Sequence, residues 1–215
     1  MPEIRRVHAS ASQLIFHADE AAPYADVSID LVNDLADVDI QWSALDGVFA
    51  QTGGSSASGA RVRWQAPKMA GDYPITVVAA IGASRAVDSV VVSLEPSLRG
   101  YWADTLSVAE GTFEFASTCL WFLDDFELEM FNYSEWRNEP YLAHGTGGSP
   151  YNSEYLYPSL TSNLASPDLD DFDEPLSLSG SINGAGTVIT VDVLFERDTH
   201  VDFVLERPPG GSACL

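Results

Sequence analysis

Glu127 and Glu129 lie two residues apart in a run of alternating apolar and acidic side chains. In an extended chain that spacing puts both carboxylates on one face. A carboxylate pair is the minimum equipment for general acid–base attack on a glycosidic bond. Asp170, inside the run Asp168-Leu169-Asp170-Asp171-Phe172-Asp173-Glu174, is a third acid of this kind. Nothing around these residues completes a catalytic pattern. No G-x-S-x-G elbow occurs, and the Gly-x-Gly sequences at 145–147 and 184–186 lack the strand–helix setting of a phosphate cradle. His8, His17, His144 and His200 show no metal-ligand spacing. Solubility explains the carboxylates as well as chemistry does, so a hydrolase using Glu127, Glu129 or Asp170 is an alternative reading and a non-enzymatic protein the main one.

The acidic run also offers oxygen ligands to a hard cation. An EF-hand loop started at Asp168 would need Gly at its sixth position and Glu at its twelfth, and these are Asp173 and Ser179. An irregular Ca2+ site on Asp168, Asp170, Asp171 and Asp173 is therefore the one cofactor the sequence offers, against the plainer reading of a solvated loop. A second constellation is aromatic: Tyr133, Trp136, Tyr141, Tyr151, Tyr155 and Tyr157 gather in a Gly-rich stretch. Large rings with polar tips suit contact with a protein partner or a sugar. A carbohydrate-binding module stacking sugars on Trp136 and its tyrosines is the second alternative. Cys119 and Cys214 make no metal-type pair. A disulfide between them would tie the tail to the second domain in an oxidising compartment; two unrelated thiols is the competing reading.

Composition sets the partner class. Ten Lys and Arg face 32 Asp and Glu, a formal charge of −22. Such a field repels nucleic acid and anionic lipid, and steers toward basic or cation-bridged partners. A hydrophobic fraction of 46% in 215 residues is enough for a sizeable core. No run is long enough to cross a bilayer as a helix. The N-terminal MPEIRRVHASASQLIF lacks the continuous apolar stretch of an export signal. Export would then leave no visible signal in this chain.

These side chains must be positioned by strands. Short alternating runs such as Val38, Ile40 and Trp42 are cut by Gly/Ser-rich turns. Strands are expected over Arg5–Phe16, Val27–Leu31, Val38–Ser43 and Arg61–Trp64. Tyr73–Ala80 and Ala86–Leu94 should form a hairpin about Gly82-Ala83-Ser84. Asp46-Gly47 reads as a hairpin turn, and Gly53–Gly59 as a flexible loop. Glu95-Pro96-Ser97 marks a boundary. Beyond it, aromatic residues at period two favour strands over a helix through Trp121–Met130. Asn138–Ser166 reads as one long loop. Leu176–Ile182, Val188–Arg197 and His200–Arg207 read as a three-strand meander.

Three elements of the first half carry a resemblance: Trp42 on a central strand, the run Val62-Arg63-Trp64-Gln65-Ala66-Pro67, and Gly71-Asp72-Tyr73 before the next strand. Together they resemble the immunoglobulin-like modules of bacterial surface and secreted proteins. The resemblance implies a core role for Trp42 and a Tyr73 hydroxyl bonded to backbone at a corner. It implies a spacer or binding module with no catalytic residues to carry over. The second half is only loosely similar to small lipoprotein β-domains, through Arg99-Gly100-Tyr101-Trp102 and the strand Phe203–Arg207.

The expectation is an all-β chain. Residues 1–95 form an immunoglobulin-like β-sandwich, and 98–215 a second antiparallel meander or barrel-like domain with long Tyr/Gly-rich and acidic loops. The expected role is an extracytoplasmic binding or scaffolding subunit, an extrinsic component of a surface or membrane assembly with a protein partner.

Overall fold

The computed structural model describes residues 1–32, 37–103, 109–110, 113–122, 127–134, 140–146, 154–157, 160–162, 175–195 and 199–208. Its described elements are nineteen strands and no helix, and every strand pairing is antiparallel. The fold is all-β. Contacts divide the chain into two compact units: Met1–Phe16 with Glu20–Glu95, and His17–Asp19 with Pro96–Leu215.

The first unit contains β1 (Ile4–Ala9), β2 (Gln13–Phe16), β3 (Tyr24–Leu31), β4 (Asp39–Ala44) and β5 (Val48–Phe49). It continues with β6 (Ser56–Ser58), β7 (Arg61–Gln65), β8 (Gly71–Ile81) and β9 (Ser84–Pro96). A four-stranded sheet runs β1-β3-β7-β5 and a five-stranded sheet runs β2-β9-β8-β4-β6. Both contribute to one buried core, with Val27, Val62, Trp64 and Phe49 from the first and Trp42, Ile75, Val77 and Val92 from the second. Period-two alternation in both sheets is what gives each an apolar face to bury.

Two tryptophans fill this core and still satisfy their indole N–H groups. Trp42 Nε1 donates to the Gly59 carbonyl at 2.8 Å, and Trp64 Nε1 to the Asp46 carbonyl at 3.0 Å. The Tyr73 hydroxyl donates to the Met69 carbonyl at 2.8 Å, and its ring lies 5.9 Å from that of Trp64. The β8–β9 ladder runs from Gly71↔Leu94 to Ile81↔Ser84, so Gly82-Ala83 is a two-residue turn, with Gly82 at φ 57°.

Three local expectations need correction. Arg5–Phe16 is two strands in different sheets, because the Ser10 backbone N–H turns back to the Asp26 carbonyl and the ladder ends there. Asp46-Gly47 is not a hairpin turn: β4 pairs with β6 and β8, whereas β5 pairs with β7, so the turn carries the chain from one sheet to the other. The Gly/Ser stretch after it is not all loop, since Ser56–Ser58 pairs with β4 and Ala57 is buried.

The second unit contains β10 (Gly100–Ala103), β11 (Ala109–Glu110), β12 (Phe113–Phe122), β13 (Glu127–Ser134) and β14 (Pro140–Thr146). It ends with β15 (Glu154–Tyr157), β16 (Leu160–Ser162), β17 (Pro175–Ile182), β18 (Val188–Phe195) and β19 (Thr199–Glu206). The sheet order is β15-β17-β18-β19-β10-β12-β13-β14-β16, with β11 paired to β12. Its two end strands are consecutive in the chain. Only residues 158–159 separate β15 from β16, so Tyr157 and Leu160 are at most about 11 Å apart. The sheet must therefore curl until its ends approach, and β16 does come within 8 Å of β17, Cα to Cα. The curl encloses a second core of Trp102, Leu120, Phe122, Leu178, Val191, Val193, Phe203 and Leu205.

Strands prevail over a helix at Trp121-Phe122 and Glu127–Met130, and 123–126 lie outside the described residues. The reading of Asn138–Ser166 as one long loop is corrected, since β14, β15 and β16 all fall within it.

Candidate functional site

The residues brought together by the four-stranded sheet come from its outward rows. Rows carrying Val7↔Ile29, Ala9↔Val27↔Val62 and Ala25↔Trp64↔Phe49 face the core. The rows between them must face outward. These are Arg6↔Asp30, His8↔Ser28↔Arg61, Asp26↔Arg63 and Tyr24↔Gln65↔Val48. A register shift between Ile4 and Arg6 places Arg5 at the irregularity, also exposed. Three of the ten Lys/Arg residues of a chain with charge −22 thus share one sheet face.

One ion pair on this face is internal. Arg63 Nε lies 2.9 Å from Asp26 Oδ1, and Nη2 lies 3.3 Å from Oδ2, a two-pronged contact. The Arg63 guanidinium also stands 5.8 Å from the centre of the Tyr24 ring. The hydrogen bond from Arg63 holds the Asp26 carboxyl below the usual carboxylate range, with the charges of Arg63 and Arg61 acting the same way. The same bond raises the Arg63 guanidinium above its ordinary value.

Asp26 is therefore engaged, while Arg6, His8 and Arg61 stand exposed. His8 and Arg61 flank Ser28 in one row, about 10 Å apart at two strand spacings. Two donor groups at that separation, with a small hydroxyl between them, can receive a carboxylate-bearing surface. Local residue pattern does not express this face. Its cations lie at 6–8 and 61–63, and only the β1-β3-β7 order makes them neighbours.

Four members of the aromatic constellation are placed on strands rather than in loops. Tyr133, Tyr141, Tyr155 and Tyr157 lie in strands β13, β14 and β15. Tyr133 is opposite Pro140 and Tyr141 opposite Asn132, in adjacent rows of one ladder. Tyr155 is opposite Gly180 and Tyr157 opposite Leu178. Trp136 and Tyr151 lie outside the described residues, as do Asp168, Asp170, Asp171, Asp173 and Cys214. Among the described residues no group of three or more His, Cys, Asp or Glu is placed to hold a metal ion.

The carboxylate pair does acquire neighbours. Glu127 is opposite Thr146, and Glu129 is opposite Trp121 on one side and His144 on the other. His144 is in turn opposite Thr161. The pairing of β13, β14 and β16 thus sets Glu129, His144 and Thr161 at successive positions of one cross-strand row. Elsewhere in the same sheet, on β19 and β18, His200 Nδ1 lies 2.9 Å from Asp192 Oδ1, an exposed pair of the kind that contributes little to stability.

No protein-family model and no curated protein matches the chain. Among solved structures, the chain is similar to the E. coli chaperone DraB at 11% identity, covering 93% of this chain and 96% of that one, with a TM-score of 0.26. A DUF4784 family protein from Bacteroides caccae is similar at 8% identity over 93% of this chain and 70% of that one, with a TM-score of 0.21. At these scores neither likeness carries information about fold or function.

Proposed function

We propose that the protein is a non-enzymatic binding or scaffolding subunit that works outside the cytoplasm and docks a protein partner by surface complementarity. The observation that carries this reading is the exposed face of β1, β3 and β7, where Arg6, His8, Arg61 and Arg63 surround Ser28 on an otherwise strongly acidic chain. Guanidinium groups in fixed rows favour a partner presenting carboxylates. The remaining acidic surface serves solubility and repels anionic polymers such as nucleic acid. The likeness of Val38–Leu94 to bacterial immunoglobulin-like modules supports a place in an extracytoplasmic surface or membrane assembly.

The test is a binding comparison. Wild-type chain and the double variant Arg6→Glu/Arg61→Glu are used as bait against the extracytoplasmic fraction of the source cells, and recovered partners are measured by titration. Both residues are exposed, so the variant should keep its melting temperature. Loss of binding with unchanged folding supports the face; equal binding by both proteins rejects it.

A second reading is favoured by one row. Glu129, His144 and Thr161 place a carboxylate, an imidazole and a hydroxyl in sequence across three strands, the group types that hydrolytic proton transfer uses. Broad hydrolase screening of wild type and of His144→Ala tests it. Activity that survives the substitution removes this reading.

A further inference from the structure

We propose that the outer edge of β1 takes up an extended acidic segment of the partner protein as an additional strand. This rests on the reading of the basic face as a docking surface, and it names the chemistry of what docks there. The preferred segment alternates acidic and apolar residues.

Backbone direction supplies the edge. The Ser10 N–H donates to the Asp26 carbonyl at 2.8 Å. Position 10 therefore turns its backbone groups toward β3, and so do His8 and Arg6 at the same parity of the ladder. Val7 and Ala9 turn theirs the other way. Their opposite numbers on β3, Ile29 and Val27, point toward β7, with the Ile29 N–H donating to the Ala60 carbonyl at 3.1 Å. β1 ends its sheet, and among the described residues no strand pairs with its outer edge. The N–H and carbonyl groups of Val7 and Ala9 thus stand about 7 Å apart along that edge. Such groups are what a partner segment engages when it extends a sheet.

Side chains then select the segment. Arg6 and His8 are exposed on the outward face. An added strand sets two of its side chains, two residues apart, beside them at about 5 Å between Cβ atoms. Carboxylates there meet a guanidinium and an imidazole. The residues between face the other way, beside Val7 and Ala9, which are partly buried against the core. Apolar side chains at those positions extend the cover over them. Asp26 is already held by Arg63. Asp30 lies one strand beyond Arg6, about 10 Å from the added carboxylate and near the screening length of salt. A short acidic segment meets this local field, whereas a long polyanion meets the whole charge of −22.

The experiment titrates the full chain with a short peptide of alternating glutamate and valine. The control peptide has the same composition with its glutamates and valines in separate blocks. The alternating peptide should bind about tenfold more tightly than the control. At saturation it should slow hydrogen exchange of the Val7 and Ala9 amides, read by NMR. Arg6→Glu/His8→Glu changes two exposed side chains, so it should keep the melting temperature and lose at least about tenfold in affinity. Equal affinity for the two peptides, or binding that leaves Val7 and Ala9 exchange unchanged, would overturn strand addition. Binding that survives Arg6→Glu/His8→Glu would overturn the preference for acid. Each of these results leaves the docking face itself in place. That face is rejected separately, by equal partner recovery with wild type and Arg6→Glu/Arg61→Glu.

Discussion

The guanidinium of Arg207 lies 4.2 Å from the centre of the Trp102 ring, while Trp102 Nε1 donates to the Leu98 carbonyl at 2.7 Å. Arg207 also serves three backbone carbonyls, at Ser97, Arg99 and Gly186. One side chain at the end of the last strand thus holds the first residues of the same unit. Arg207→Ala leaves those carbonyls without their donor and should cost about 2–4 kcal/mol. Arg207→Lys restores the charge but not the planar fork, so it should recover less than half of that loss. Chemical denaturation of the three proteins checks both values.

Gly47 carries the chain between the two sheets of the first unit at φ 74°. A Cβ there would sit 2.6 Å from Trp64 Nε1 and overlap the Gln65 carbonyl oxygen. Gly47→Ala combines a left-handed backbone with a collision against a buried indole that is already bonded to Asp46. The expected loss is about 2–4 kcal/mol. Gly82→Ala, at φ 57° with nothing within 4 Å, pays only the backbone term of about 1 kcal/mol. The difference between the two in one urea series isolates the collision.

These contrasts show how far the residues could be read before any coordinates. Trp42, Trp64 and the hairpin around Gly82 were legible, because alternation and turn chemistry are local. The strand at Ser56–Ser58 was hidden, because two serines and one alanine carry no apolar alternation, and it exists through pairing with β4. β14, β15 and β16 were hidden in the same way by Gly, Pro and Tyr. The cationic face was beyond reach, because Arg6 and Arg61 become neighbours only after β3 has paired with β1 on one side and β7 on the other. The curl of the second unit rests on β15 and β16 taking opposite ends of one sheet, which no periodicity expresses.

The Asp26–Arg63 contact predicts a titration. The bond from Arg63 depresses the Asp26 carboxyl, so the pair's contribution is present above the ordinary carboxylate pKa of about 3.9 and is lost as pH falls through the lower folded value. Both partners are exposed, so the effect on total stability is small. The site-resolved readout is carboxyl NMR. Asp26 should titrate below other exposed aspartates, and Arg63→Gln should move its midpoint upward. Salt should have the same direction of effect as the substitution, because it screens the pair.

The Tyr73 hydroxyl predicts the opposite pH behaviour. Burial raises its pKa above the ordinary phenol value, and the charge of Asp46 adds to the rise. The protonated form is also the one that donates to the Met69 carbonyl. A folded pKa above the unfolded value means that the contribution is complete below about pH 10 and disappears as pH rises through the folded value. Tyr73→Phe keeps the ring beside Trp64 and removes both the bond and the titration. At neutral pH it should cost about 1 kcal/mol. As pH rises past 10 the wild-type advantage should shrink to nothing, so that the two denaturation curves converge. Equal stability of the two proteins at neutral pH would show that ring packing, and not the hydroxyl bond to Met69, secures this corner.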